Sequence, residues 1–511
     1  MQIVLHIVGL PWDTSHQSRE MNIITNKFGH ILCGHNLWSE KMKDLIEIHV
    51  ICKDNRYVVF DPSTFSLFSV SEMIGKMLQF YEIKSKDVQK IAEEFNTSVD
   101  YVGKVLNYIL ENTMQNSTFD LERIDLGSLA LNLIISQDCN LKCRYCYAEH
   151  GTYGRKKRLM DFDTAKKSID KLLKNDRENR IIFFGGESLL NFPLMKEIDS
   201  YLSEKGLRTR YTTVTNGTIM NDDIKTFIDK KFFNLTISLD GIKELNDTQR
   251  CGNIESVHDC VIETIQKLKP RSYPLSIKSI TTKKTVDTLR DNVKYISSLD
   301  VNLVCFEPVH YLLPESEFYI SDDDHAIYVK EMTNLCCENL REMAEGNNVA
   351  ILSHIFDILR PIVTKTRKIN MCPVGRESIT ITAEGDVYPC HMFIGVDEFK
   401  MGNVHDDDFP EKNFKRIREM FYNANIYSSS DCNVCWARFL CGGECHYFSY
   451  ICNKNLTSPR NQRCLEMRLI IEAVLSEVAE VFQNELKTKN LLNALKSGAN
   501  IFPQDSCECI I

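Results

Sequence analysis

The 511-residue sequence has no long apolar run and no excess of basic residues. No stretch reaches the roughly 18 consecutive apolar residues of a transmembrane helix, so we predict no membrane partner. The formal net charge is −9. Nucleic-acid-binding proteins usually present a basic surface, so we predict no nucleic-acid partner. Residues 1–13, MQIVLHIVGLPWD, lack the basic start and the small-residue cleavage site of a signal peptide. We interpret them as a strand, in a cytoplasmic protein.

Cysteine, by contrast, is abundant, with 20 residues. The cytosol keeps thiols reduced, so a disulfide framework is not expected, and metal or cluster ligation is the main use for closely spaced cysteines. Buried, unreactive thiols are predicted for eight cysteines that fit no spacing pattern, namely Cys33, Cys52, Cys251, Cys260, Cys305, Cys336, Cys337 and Cys452.

The hydrophobic pattern divides the chain into five segments of an α/β protein. Residues 1–115 combine strand patterns with three helical patterns, which predicts a winged-helix-like domain. The last two of these helices carry balanced charge, so peptide binding along a strand edge is favoured over DNA binding. In residues 127–310, six strands alternate with helices, which indicates a parallel sheet, curled into a partial barrel or left open. Residues 311–370 are predicted to form a helical bridge, 371–475 a cysteine-rich domain, and 476–511 a C-terminal helix and tail.

The six predicted strands set the position of the active site. They are the segments 129–136, 180–184, 210–214, 233–238, 275–280 and 302–308. Active sites on parallel sheets lie at the carboxyl ends of the strands. A dense cysteine group directly follows the first strand, so it is predicted to lie at the catalytic edge.

This first group is Cys139, Cys143 and Cys146, with the spacing C-x3-C-x2-C and Tyr145 before the last cysteine. A structural zinc ion normally takes four protein ligands. A [4Fe–4S] cluster has four irons, so three cysteines leave one iron open to a substrate or cofactor. Zinc or unrelated thiols are the alternative at this point.

With Tyr145 as the aromatic residue, the motif resembles the C-x3-C-x-aromatic-C signature of the radical S-adenosylmethionine (SAM) enzymes. The resemblance implies a TIM-like partial (β/α)6 barrel in which the open iron binds the amino and carboxylate groups of SAM. It also implies that one electron from the cluster cleaves SAM to methionine and a 5′-deoxyadenosyl radical, which abstracts hydrogen from the substrate. A reducing electron donor such as flavodoxin or ferredoxin is then a partner.

Further segments that resemble motifs of this family stand at the ends of later strands. In FFGGES, Gly185 and Gly186 allow a close approach of the backbone, and Glu187 resembles the acidic partner of the SAM ammonium group. The segments TNGT, SLDG and NDTQR follow in the order expected for the family. The contacts implied there are Thr215 and Asn216 for ribose or methionine, Ser238 and Asp240 for ribose, and Arg250 for the SAM carboxylate. The last segment departs from the family's H-D-x-x-R pattern, because Asn246 replaces the histidine.

Eight more cysteines lie from residue 372 to residue 464, and seven of them, all but Cys452, follow an order that includes G-x4-C at Gly385 and C-x2-C-x5-C-x3-C at 432–445. This order resembles the SPASM domain, which carries two auxiliary [4Fe–4S] clusters in peptide- and protein-modifying radical SAM enzymes. Zinc ribbons use similar C-x2-C pairs and are the alternative. The resemblance assigns two ligand sets, an outer one of Cys432, Cys435, Cys441 and Cys464 and an inner one of Cys372, Cys390 and Cys445.

The inner set is one cysteine short. Some SPASM proteins supply a further cysteine a few residues before the first, but Lys365–Asn370 contains none. Either Cys452 completes the inner cluster, or its fourth iron is open to a substrate thiolate.

The whole chain most closely resembles the peptide maturases that form thioether cross-links, of the sactipeptide, ranthipeptide and SCIFF types. The segments that carry this resemblance are VCFEPV, YPCHMFIGVDEFKMGNV and the small N-terminal unit. It implies that the N-terminal unit recognises the leader of a Cys-containing precursor peptide, and that sulfur is joined oxidatively to carbon. The alternatives are carbon–carbon cross-linking of a peptide, formylglycine formation in a sulfatase, and a zinc-dependent binding protein.

Overall fold

The computed structural model describes residues 47–114, 120–121, 129–176 and 178–499. The strand predicted at residues 1–13 and the thiol of Cys33 lie outside the described residues. The chain divides into two compact units. The first comprises Met1–Phe119 and Leu475–Thr488, and the second comprises Asp120–Val474 and Lys489–Ile511.

Within the first unit, the described residues before 115 form three antiparallel strands with β2 in the centre, followed by three helices. These elements are β1 (His49–Lys53), β2 (Arg56–Asp61), β3 (Ser66–Val70), α1 (Glu72–Ile83), α2 (Val88–Glu94) and α3 (Val99–Met114). Val59, Leu78, Ile91 and Val102 are fully buried in one hydrophobic cluster between sheet and helices. Burial of side chains of this size contributes about 1.5–3 kcal/mol each. The resemblance of this unit to a winged helix stays a prediction.

The second unit contains the large sheet and all of the cysteine groups. Its strands are β4 (Asp120–Leu121), β5 (Ala130–Gln137), β6 (Arg158–Leu159), β7 (Asn179–Gly185), β8 (Thr209–Thr215), β9 (Phe232–Ser238), β10 (Leu275–Thr281), β11 (Leu303–Pro308), β12 (Ile351–Leu352), β13 (Thr366–Arg367), β14 (Ser378–Ile381), β15 (Asp386–Tyr388) and β16 (Gly402–Asn403). The six predicted strands are confirmed as β5 and β7 to β11, each parallel to its neighbour in chain order.

Helices alternate with the six strands as predicted, and further helices follow the last strand. They are α4 (Phe162–Leu172), α5 (Phe192–Glu204), α6 (Asp222–Lys231), α7 (Lys243–Gln249), α8 (Val257–Lys267), α9 (Leu289–Ser297), α10 (Asp322–Glu345), α11 (Ser353–Thr364), α12 (Lys412–Asn423), α13 (Ser430–Asn433), α14 (Arg438–Cys441), α15 (His446–Asn453), α16 (Asn461–Val481) and α17 (Glu485–Ala499). The α/β class is therefore confirmed. Helix α16 runs through the boundary predicted at residue 475. Among the described residues, no helix is long and apolar enough to span a membrane.

The cysteine-rich segment adds strands to the same sheet, which the sequence did not predict. Strand β14 pairs in parallel with β5, from Ser378 opposite Ala130 to Ile381 opposite Leu133. Strands β15 and β16 continue the sheet in antiparallel order. The turn between β14 and β15 places Gly385 at φ +86°, a left-handed conformation that favours glycine. The glycine of the G-x4-C pattern thus has a structural role in the turn that leads to Cys390.

Gly75 in α1 gives a test of packing in the first unit. A Cβ atom at this position would lie 2.2 Å from the ring of Tyr57. We predict that Gly75→Ala lowers the free energy of unfolding by about 1–3 kcal/mol, because the added methyl group overpacks the core. Urea denaturation followed by circular dichroism measures the change. Helix propensity alone would stabilise this variant, so an increase in stability contradicts the predicted clash.

Candidate metal centres and active site

The first cysteine group lies in the loop that follows β5. The loop is held against the end of α7, because the N–H of Lys142 donates to the carbonyl of Cys251 at 2.6 Å and that of Arg144 donates to Gln249 at 2.9 Å. Cys139, Cys143 and Cys146 are half-buried. Burial raises the pKa of Cys139 to about 11 and that of Cys143 to about 12, and Cys146 adds to both shifts. The three thiols are therefore close enough to interact electrostatically.

Polar groups of the protein point at the sulfur atoms of this group. The N–H groups of Leu141 and His150 donate to Sγ of Cys139 and Cys146, at 3.4 and 3.3 Å respectively. The side-chain amide of Asn216, at the end of β8, lies 3.7 Å from Sγ of Cys139. Donors of this kind stabilise thiolates bound to an iron–sulfur cluster.

Two glycines at the carboxyl end of β7 pack closely against the cysteine loop. Gly185 lies at φ +148°, and the N–H of Gly186 donates to the carbonyl of Ser136 at 2.9 Å. A Cβ atom on Gly186 would lie 2.4 Å from the carbonyl oxygen of Asp138 and 2.6 Å from Cα of Gly151. Only glycine allows this close approach, so the GG motif positions the strand that enters the cysteine loop.

Glu187 is buried, and its carboxylate is hydrogen-bonded to the segments that follow β7 and β8. Its carboxylate accepts hydrogen bonds from the N–H of Leu189 at 3.0 Å, the hydroxyl of Thr215 at 2.8 Å and the N–H of Asn216 at 2.7 Å. Burial raises its pKa, and these hydrogen bonds act in the opposite direction. These hydrogen bonds tie the end of β8 to β7. The contact of Glu187 with the SAM ammonium group stays a prediction.

Asp240 and Arg250, predicted as separate SAM contacts, pair with each other in the structure. Arg250 Nε and Nη2 donate to the two carboxylate oxygens of Asp240 at 3.0 and 3.2 Å. The same carboxylate accepts the hydroxyl of Tyr145 at 2.5 Å and the N–H of Ile280 at 2.9 Å. All three charged or hydroxyl-bearing side chains are more than nine-tenths buried. A bidentate pair therefore joins the cysteine loop, β9, α7 and β10.

Sequence reasoning missed a second charged pair inside the barrel. Lys278 of β10 lies beside Ser238 of β9 and Cys305 of β11 in the strand register, and its ammonium group pairs with Glu307. A lysine in the middle of the otherwise uncharged strand LSIKSIT was the available signal. Ser238 itself lies at the carboxyl end of β9, as its predicted contact with SAM requires.

The inner cysteine set comes together around the β14–β15 hairpin. Cys372, Cys390 and Cys445 are all buried. Burial raises the pKa of Cys390, with further contributions from the other two thiols, and raises that of Cys445 to about 12. Cys452, the predicted alternative ligand, is exposed on α15. A buried thiol was predicted for both Cys452 and Cys52, and this prediction was wrong because both are exposed.

Aromatic residues lie between the first group and the inner set. Burial raises the pKa of Tyr153, and the thiols of Cys146 and Cys390 both raise it further. The ring of His391 lies 5.6 Å from that of Tyr147, measured between centroids. Cysteines from both groups thus lie near the same tyrosine.

The four cysteines of the outer set line one small cavity of about 30 Å³. Arg463 and Arg468 line it as well. The Nε atom of Arg463 is buried without a hydrogen-bond partner. Cations and free donors of this kind suit the negative charge and the sulfur acceptors of a bound cluster.

The surroundings of these cysteine sets fit iron–sulfur clusters. Backbone N–H groups and the Asn216 amide point at sulfur atoms of the first group, and two arginines line the cavity of the outer set.

Comparison with known proteins agrees with this conclusion. Residues 133–296 match the model of the radical SAM superfamily, and residues 372–436 match that of the SPASM iron–sulfur cluster-binding domain. An uncharacterised protein of Methanocaldococcus jannaschii is 33% identical over 286 residues, covering 55% of this chain and 90% of the relative.

A cysteine-type anaerobic sulfatase-maturating enzyme of Clostridium novyi is 24% identical over 327 residues, covering 61% of this chain and 85% of that enzyme. The solved structure of His6-tagged anSMEcpe with bound AdoMet has the same fold, with a TM-score of 0.61 at 19% identity. It covers 73% of this chain and 99% of that chain. On these matches and the geometry of its cysteine groups, the chain belongs to the radical SAM superfamily and carries a SPASM iron–sulfur cluster-binding domain.

Proposed function

We propose that the protein is a peptide maturase that joins a cysteine sulfur to an acceptor carbon of a ribosomally synthesised precursor peptide. The observation that carries the proposal is the inner set of three buried cysteines, one of which, Cys390, lies near Tyr153 together with Cys146 of the first group. A substrate sulfur held at the inner set is proposed to react with the carbon from which the hydrogen atom is removed. The cofactors are SAM and three [4Fe–4S] clusters, one for each cysteine set.

The first group holds the cluster that binds SAM. When bound there, the cluster and SAM supply the radical that removes a hydrogen atom from the substrate. Asn216 and Ser238 are the side chains proposed to contact SAM directly, since they stand at the ends of β8 and β9. Glu187 positions Asn216 through its hydrogen bond to the N–H of that residue. Nη1 of Arg250 is the guanidinium nitrogen proposed for the SAM carboxylate, because Nε and Nη2 are engaged by Asp240.

The overall conversion removes two hydrogens from the peptide. The cysteine S–H bond and one C–H bond are broken, and one S–C bond is formed. The 5′-deoxyadenosyl group takes one hydrogen atom, the thiol proton goes to solvent, and one electron passes to an acceptor, for which the inner [4Fe–4S] cluster is proposed. Thiolate binding to iron favours loss of the thiol proton.

The first unit is proposed to bind the leader of the peptide. Among the described residues, β1 and β3 each pair with β2 alone in the three-stranded sheet. An extended peptide adds to a sheet edge through main-chain hydrogen bonds. This mode of binding needs no basic groove, which agrees with the net charge of −9.

Formylglycine formation in a sulfatase is the second candidate, because a sulfatase-maturating enzyme is among the relatives. The two products differ in composition. A thioether keeps the sulfur in the peptide and consumes its thiol, whereas formylglycine formation removes the sulfur from the cysteine. Mass spectrometry of a Cys-containing peptide after anaerobic incubation with enzyme, SAM and dithionite separates them, and loss of sulfur contradicts the thioether proposal.

Simultaneous replacement of Cys139, Cys143 and Cys146 by Ala should abolish cleavage of SAM. Iron content should fall from about twelve to about eight atoms per chain, since one of three four-iron clusters is lost. Iron analysis and chromatographic detection of 5′-deoxyadenosine measure the two effects. Continued production of 5′-deoxyadenosine by the triple variant would place the SAM site elsewhere.

Arg250→Gln should lower the free energy of unfolding by about 3–5 kcal/mol, because it leaves the buried Asp240 carboxylate without its charged partner. The double variant Asp240→Asn with Arg250→Gln should recover part of this loss. Chemical denaturation of the reconstituted protein measures both, and SAM affinity is measured in parallel. Wild-type stability in Arg250→Gln, with only SAM affinity reduced, would mean that Arg250 serves the cofactor alone.

Addition of a Cys-containing peptide should perturb the electron paramagnetic resonance spectrum of the inner cluster. The reason is that the inner set offers three cysteines, so a substrate thiolate can bind the fourth iron. The same peptide with Ser in place of Cys is the control and should leave the spectrum unchanged. Two results together would refute an open coordination position on the fourth iron. They are loss of the inner cluster in Cys452→Ala and a wild-type spectrum that does not change when the thiol peptide is added.

A further inference from the structure

The Lys278–Glu307 pair joins β10 and β11 in the sheet that carries the first cysteine group. Alternate residues of a strand share a face, so Ser276, Lys278 and Ile280 lie on one face of β10. The strand register places Cys305 beside Lys278 and Glu307 beside Ile280. Ile280 packs with Cys143 against the cluster that contains Tyr145. Glu307 therefore lies beside a residue that packs against the same hydrophobic cluster as Cys143 of the cysteine loop.

Of the two side chains in the pair, that of Glu307 is accessible to solvent and that of Lys278 is buried. The side chain of Lys278 is 4% exposed, whereas that of Glu307 is 38% exposed. Sγ of Cys305 lies 3.5 Å from Lys278 Nζ and 3.5 Å from Glu307 Oε1. Lys278 and Cys305 therefore contact the carboxylate of Glu307, and part of that carboxylate stays accessible to solvent.

Stability alone does not account for this pair. Burial of charged groups costs desolvation energy, and replacement of a buried ion pair by apolar side chains of similar volume is often neutral or stabilising. Ser276 lies on the same face of β10 as Lys278, and its fully buried hydroxyl has no hydrogen-bond partner. A charged pair at the solvent-accessible end of this polar face indicates recognition of a ligand.

We propose that Glu307 is a specificity residue that binds a cationic Lys or Arg side chain of the substrate peptide, close to the reacting cysteine. Lys278 is a positioning residue, which orients the carboxylate through the ion pair. A carboxylate fixed on one side accepts charge-assisted hydrogen bonds on the other, and these are about twice as strong as neutral ones. This inference rests on the proposed function only in that the substrate is a peptide.

The test compares short synthetic peptides that contain one cysteine and either lysine or norleucine at each neighbouring position in turn. Binding to the full-length, reconstituted enzyme with SAM is measured by fluorescence anisotropy. The wild type should bind one lysine peptide about tenfold more tightly than its norleucine twin, a factor within the range of a hydrogen bond to a charged group. In Glu307→Gln this ratio should fall close to one.

Glu338→Gln is the matched control, because Glu338 pairs with Arg290 at 2.7 Å at a partly exposed position outside the barrel. It should keep the wild-type ratio. The double variant Lys278→Met with Glu307→Leu removes both charges, so no unpaired buried charge destabilises it, and it should also lose the lysine preference.

Two results would overturn the inference. One is a wild type without any lysine preference, or a preference that persists in Glu307→Gln. The other is a fall in peptide-free SAM cleavage in Glu307→Gln with the lysine preference intact, which would assign Glu307 to the cofactor. A lysine preference that depends on Glu307, without any thioether product, would support the inference and refute the proposed reaction.

Discussion

The buried pair between Asp240 and Arg250 is the interaction on which the arrangement of the active site depends. The Asp240 carboxylate accepts hydrogen bonds from the guanidinium group, from the hydroxyl of Tyr145 and from the backbone of Ile280. These groups belong to the segment after α7, to the cysteine loop and to β10. A single buried charge therefore connects three separate segments, and removal of its partner would leave the charge uncompensated.

Close backbone contacts complete the support of the cysteine loop. The glycine pair after β7 lets Gly186 approach Asp138 and Gly151 at distances that any side chain would block. Glu187 then joins the ends of β7 and β8 through hydrogen bonds that it accepts. Two carboxylates that resemble SAM contacts in sequence thus also belong to a network of paired polar groups around the cysteine loop.

The pairing of β14 with β5 brings the SPASM segment to the barrel. This pairing joins residues about 250 positions apart in the chain, such as Ser378 and Ala130. It places the hairpin before Cys390 next to the strand that carries the first cysteine group. Cysteines of the first group and of the inner set lie near the same tyrosine, Tyr153. Such proximity suits the proposed reaction between a carbon radical and a held sulfur.

The sequence by itself determined the order of the elements, the six parallel strands and the three cysteine sets. These features depend on local signals, namely hydrophobic alternation and cysteine spacing, which survive in a single sequence. The partners of buried polar groups depend on tertiary structure. The family resemblance implies that Glu187, Asp240 and Arg250 contact the cofactor, and these contacts stay predictions. The fold adds that Asp240 pairs with Arg250 and that Glu187 accepts hydrogen bonds from the end of β8. The exposure of Cys452, the extension of the sheet by β14 and the Lys278–Glu307 pair were likewise decided by tertiary structure. The physical reason is that burial and charge pairing arise between segments far apart in sequence, which no local pattern encodes.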